Sequence, residues 1–163
     1  MVFFKSISHC LTVLFGASLL LASCTLTTEQ ETKLNADMNL LIKVRNEGDA
    51  LSYLNLTHPL IVKHYKEKGD AVFKSKFQEM PRQKDQDKDK AELIYWKGGY
   101  IKSIASNDSL IHAKIQFTLM QNHQDLDSSS IYYGINKKQS SNWTFVSAAD
   151  YFTVLPKEMR LFE

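Results

Sequence analysis

The chain reads as one α+β domain behind an apolar leader, and three observations say so. Apolar residues recur at helical spacing as far as Met80. From Leu93 onward the period drops to two, the mark of strands. Ahead of both stands an apolar run, Leu11 to Leu21, behind a single early charge, Lys5. Helices first, then strands joined by short turns, mean helices packed on one face of an antiparallel sheet.

The leader ends in Leu21-Ala22-Ser23-Cys24. A charged start, a short apolar middle and small residues before a cut make a secretory signal peptide. The run falls short of the roughly 20 apolar residues of a spanning helix, and Gly16 and Ser18 interrupt it. A cysteine directly after Leu-Ala-Ser resembles the lipobox of bacterial lipoproteins. That resemblance implies that residues 1–23 are removed and that Cys24 carries the lipid, so the expected partner is the membrane. Thr25 follows Cys24, so the Asp-type signal for inner-membrane retention is absent, and the cell envelope at the outer membrane is the expected address. Residues 24–30 form a short polar tether, which keeps the domain of residues 31–163 close to the headgroups. Cys10 leaves with the leader and Cys24 is consumed by lipid, so the domain has no thiol for a disulfide, a metal site or a nucleophile.

What remains after the leader fits a single domain of roughly 100–150 residues. The chain has 20 basic and 18 acidic residues, and the leader removes only Lys5. Such a balance gives no reason to expect a nucleic-acid partner. The run from Gln83 to Lys90 alternates in charge and has no apolar residue, which predicts a solvated loop.

The elements follow in order. A helix is expected from Thr28 to Asn46, with Leu34, Met38, Leu41, Ile42 and Arg45 on one face and Gly48 as its left-handed stop. Asp49 can cap a short helix through Leu54. Pro59 fits the first turn of another helix, carrying Ile61, Val62 and Tyr65, with Thr57 or His58 near its cap. Lys68-Gly69-Asp70 restarts the chain into a helix with the stripe Phe73, Phe77 and Met80, which Pro81 closes. In the second half, Leu93 to Trp96 is β-rich, Gly98-Gly99 reads as a bulge or bend, and Tyr100 to Ile104 continues extended. Ser106-Asn107-Asp108 is a turn. Residues 110–120 make the clearest strand, with Ile111, Ala113, Ile115, Phe117 and Leu119 on the apolar face. His112, Lys114, Gln116 and Thr118 take the opposite, solvated face. Gln121 to Ser128 reads as a polar loop. Strands are expected at Ser130–Asn136 and Trp143–Val146, with Phe152, Val154, Leu155 and Leu161 folding back on the sheet.

Two stretches carry a further likeness. Asn55-Leu56-Thr57-His58-Pro59, after a helix that ends in Glu47-Gly48-Asp49, and Ser141-Asn142-Trp143-Thr144-Phe145-Val146 resemble bacterial proteins of the nuclear transport factor 2-like superfamily. The likeness covers roughly residues 30–155. It implies a cone, with helices packed in the concavity of a strongly curved antiparallel sheet. The superfamily includes isomerases, dehydratases and non-enzymatic binding domains. Lys66-Glu67-Lys68-Gly69-Asp70 departs from the pattern, where a glycine pair is more usual.

Chemistry is sparse. His58 stands before a proline at a helix start, with no acid in its motif to orient it as a base, so a capping role is expected. His64 lies six residues on, not the four that align two metal ligands on a helix face. His112 and His123 read as solvated. The Asp–Tyr–Asp trio of the superfamily's isomerases finds no matching positions here. Tyr53, His58, Trp96 and Tyr133 are the residues expected to line any pocket, with Tyr95 and Tyr132 as further aromatic candidates. No catalytic residue, metal or cofactor is expected. The expectation is a non-catalytic binding or interaction domain; an enzyme or ligand carrier using the cone's interior is the alternative.

Overall fold

A computed structural model describes residues 26–78, 94–121, 124–138, 140 and 142–163. Cys24, Met80, Pro81 and the charged run at 83–90 lie outside the described residues. No helix among the described residues is long and apolar enough to cross a membrane.

Helix α1, Thr28–Glu47, starts at a reciprocal capping box between Thr27 and Gln30. It stops at Gly48, which takes φ 67, a left-handed value that favours glycine. Its buried face is Leu34, Asp37, Met38, Leu41 and Val44. Ile42 and Arg45 are only half-buried. Asp37 tolerates burial because Lys33 Nζ bonds it at 2.6 Å and the Trp143 N–H reaches it at 3.4 Å.

Short helices follow, each with a local cap. Asp49 accepts from the Ser52 N–H at the start of α2, Ala50–Leu56. His58 Nδ1 accepts from the Leu60 N–H at 3.3 Å to open α3, Pro59–Glu67. Helix α4, Asp70–Phe77, restarts after Gly69.

Four antiparallel strands run β1 (Ile94–Ser106), β2 (Leu110–Gln121), β3 (Gln124–Lys137) and β4 (Thr144–Ser147), in that order across the sheet. The four helices pack against this open sheet, which makes the fold α+β. β1 is continuous, and its register shifts fall between Trp96 and Gly98 and between Ile101 and Ser103. Gly99 is needed for close packing: a Cβ there would sit 2.7 Å from the Phe117 ring and 3.2 Å from Met38 Sδ. The polar stretch from Gln124 to Ser128 is strand, not loop, and pairs with the end of β2. A ladder can carry polar side chains on both faces where neither face is covered, and such a strand has no apolar period to betray it.

Directly opposed residues share a face of the sheet. Ile115 pairs with Tyr132, Ala113 with Gly134 and Phe117 with Ser130. This is the face under α1, since a Cβ on Gly134 would lie 3.3 Å from Leu34 Cδ1. The reverse face carries His112 opposite Ile135 and Lys114 opposite Tyr133. A helix not expected from the sequence, α5 (Ala148–Thr153), and the segment after it cover one end of that reverse face. Tyr151 is wholly buried and stacks on Tyr133 with ring centroids 3.8 Å apart. Its hydroxyl accepts from the N–H groups of Leu161 and Phe162, which ties the tail down, whereas Phe152 stays exposed.

His112 is therefore not solvated. It is 0% exposed, with Nδ1 2.8 Å from the Tyr151 hydroxyl. Strand periodicity separates two faces but does not say that a distant helix covers the second one.

Candidate functional site

An open cleft of about 680 Å³ lies where the four helices meet the inner face of the sheet. Such a volume is in the range of small-molecule sites. A groove of equal volume between α2, α3 and Thr144 is lined by one buried polar side chain, Thr57, whose hydroxyl is already donated to the Tyr53 carbonyl at 2.8 Å.

Each element contributes to the wall. The last turn of α1 supplies Arg45, a favourable place for a cation at a helix C-terminus. Its guanidinium carbon lies 5.1 Å from the Tyr53 ring centroid and 5.2 Å from that of Trp96. Tyr53 comes from α2 and Tyr132 from β3; both are buried, and their hydroxyls lie 3.3 Å apart. Tyr132 packs edge-on to Trp96 and Phe117, which stack on each other at 4.3 Å. Burial, aided by the Tyr53 hydroxyl, pushes the Tyr132 pKa well above its ordinary value, so this phenol keeps its proton.

The opposite wall is built from Tyr65 on α3 and Ala71, Val72, Ser75 and Lys76 on α4. Behind it stands Asp150 of α5. Tyr65 donates its hydroxyl proton to Asp150 Oδ1 at 2.7 Å, and Lys76 Nζ bonds Oδ2 at 2.8 Å. The Ser147 hydroxyl donates to Oδ2 at 2.7 Å while capping α5 through the Asp150 N–H. Burial alone would raise the Asp150 pKa, but the hydrogen bonds from Lys76, Ser147 and Tyr65 outweigh it, and the net shift is downward. Burial alone would lower that of Lys76, but its bond to Asp150 outweighs that too, and the net shift is upward. The pair is held charged on both sides of neutrality. Burial and then the Asp150 bond raise the pKa of Tyr65.

The sequence-predicted residues separate. Tyr53 lines the cleft. Trp96 lies behind it, under the Arg45 guanidinium. His58 caps α3, and its N–H donates to the Phe145 carbonyl while Thr57 bridges Phe145, lacing the α2–α3 junction to β4. Burial and then Lys137 pull its pKa below the ordinary value. Tyr133 lies on the reverse face, under Tyr151. Cys24 lies outside the described residues.

The sequence reading missed Tyr65, Lys76 and Asp150 as a cluster. The Ser147-x-x-Asp150 spacing is a helix-start signal that could have found α5. Nothing local signals that Asp150 meets residues 74 and 85 positions away. Among the described residues no three His, Cys, Asp or Glu side chains gather as a metal site would require. Compared with family models, curated proteins and solved structures, the chain matches none.

Proposed function

We propose that the chain is a lipid-anchored cell-envelope protein whose domain binds a ligand in the cleft without transforming it. The observation that carries this reading is an open aromatic cleft whose nearby carboxylate is already committed. Asp150 holds three side-chain donors and is driven toward its charged form. A general base works best with a pKa near neutrality and with room to take a proton. Asp150 has neither, and Lys76 is driven away from neutrality in the other direction. His58, the other base considered, serves a helix cap outside the cleft. An isomerase- or dehydratase-like cone would need such a base inside it.

The anchor reading rests on Leu21-Ala22-Ser23 before Cys24, with Thr25 favouring the outer membrane. The cone reading rests on the order of helices and antiparallel strands and on a cleft that opens over the inner face of the sheet.

The test is a fragment screen by two-dimensional NMR on the full-length chain in detergent. Binders should shift resonances of Tyr53, Tyr65, Ser75 and Tyr132 together, with no fragment chemically altered. Shifts scattered over the surface would sink the binding reading, and turnover of a fragment would replace it with the enzymatic one.

A further inference from the structure

We infer that His112, Tyr151 and the backbone of Leu161 and Phe162 form an acid-operated latch, which pins the tail on the reverse face of the sheet and lets go when the imidazole takes a proton. Three hydrogen bonds meet at one oxygen. The Tyr151 hydroxyl accepts from the Leu161 N–H at 2.8 Å and from the Phe162 N–H at 3.2 Å, and it lies 2.8 Å from His112 Nδ1. Two incoming N–H groups use both lone pairs, so the O–H is left to donate to the imidazole. Both side chains are 0% exposed, so water does not compete for these bonds. The neutral ring then carries its proton on Nε2, and an added proton arrives at Nδ1, the atom the latch uses. A protonated imidazole accepts nothing. Its new N–H faces an oxygen whose lone pairs are taken and whose own proton points back at it. The conflict is relieved when the hydroxyl turns round and a tail N–H gives up its lone pair.

The charges around the ring set the sign. Its ladder neighbours, Ala105 on β1 and Ile135 on β3, are apolar. The start of α3 brings His58, and Lys137 at the end of β3 acts on His58 in turn. On the same face of β2 stands Lys114, opposite Tyr133. From α5, Asp150 is committed to Lys76, Ser147 and Tyr65. The tail brings Arg160, whose charge acts on Tyr151, while Lys157, Glu158 and Glu163 are exposed. Burial and then His58 push the pKa of His112 from 6.5 down to about 4. The latched state thus refuses a proton that the released state accepts. Its hold is full above the ordinary histidine pKa, and below that the opening equilibrium grows by up to about tenfold per pH unit. Release uncovers aromatic surface. The Phe162 ring lies 5.4 Å from that of Tyr133, and Phe152, already exposed, lies 5.8 Å from it on another side.

The experiment is amide hydrogen exchange, read by two-dimensional NMR on the full-length chain in detergent and corrected for the intrinsic effect of pH. From about pH 6.5 to about pH 4.5 the protection of Leu161 and Phe162 should fall by up to about tenfold per unit, while Ile115 and Tyr132 in the strands stay far better protected. In His112→Asn the tail should stay protected across that range, because the amide oxygen accepts from Tyr151 and does not titrate. In Tyr151→Phe, which keeps the ring stacked on Tyr133, the tail should already be about tenfold less protected at neutral pH, and no pH dependence should remain. Should His112→Asn fail to fold, the wild-type chain and Tyr151→Phe decide. Tail protection that does not change with pH in the wild type would overturn the latch. So would the same fall in His112→Asn, a tail still held in Tyr151→Phe, or tail and strand amides that lose protection to one common value.

Discussion

His112 offers the sharpest test of the tertiary structure, because its burial makes stability depend on pH in a calculable way. The Tyr151 hydroxyl accepts from the N–H groups of Leu161 and Phe162, which fills its two lone pairs, so its one proton goes to His112 Nδ1. The imidazole is then neutral with its proton on Nε2, a buried atom with no hydrogen-bond partner among the described residues. Burial, followed by the charge of His58, pushes the pKa of His112 from 6.5 down to about 4. The folded state therefore resists the proton that the unfolded chain accepts. Stability from this group is complete above about pH 6.5 and is lost as pH falls toward about 4. The whole loss is about 3 kcal/mol, of which about 2 kcal/mol falls between about pH 7 and about pH 5. His58, also held below its ordinary value, adds a slope of the same sign, so the informative quantity is the difference from a variant. In His112→Asn the amide oxygen can still accept from Tyr151, but nothing titrates. The variant should be less stable at neutral pH, where the smaller side chain leaves a void, yet its stability should fall by about 2 kcal/mol less on going to about pH 5. Urea unfolding at the two pH values measures this. The same pH slope in both proteins would refute the buried, neutral histidine and with it the placement of α5.

Four further outcomes are expected. Gly99→Ala should cost about 1–3 kcal/mol in urea melts, because its Cβ meets the fully buried Phe117 ring at 2.7 Å. His58→Asn should be nearly neutral and His58→Leu should cost about 1 kcal/mol, since only the former can still accept from the Leu60 N–H; equal losses would refute the cap. Asp150→Asn should destabilise by about 3 kcal/mol, because Lys76 loses its ion partner in a partly buried place, and Lys76→Met should strand Asp150 at a similar cost. Cys24→Ala should abolish incorporation of a fatty-acid analogue, and label retained on that variant would remove the lipid anchor from the reading.

Local features were legible because they are decided within a turn or two of chain. The stop at Gly48, the caps at Asp49 and His58 and the restart after Lys68 involve neighbours in sequence, and each element begins or ends close to where its residues predict. The inward face of β2 was legible for the same reason, since alternation through Ile111, Ala113, Ile115 and Phe117 is a property of one strand. What the tertiary structure alone decided concerns burial by distant segments. The α5 segment covers the reverse face, so His112 and Tyr133 are buried there although their strands predict no second cover. The strand from Gln124 to Ser130 exists because a backbone ladder pairs it, not because its side chains favour it. The cleft joins Arg45, Tyr53, Tyr65, Lys76 and Tyr132 from five different elements. Sequence spacing carries the geometry of one helix or one strand; which face meets water is set by the free energy of packing elements that sequence places far apart.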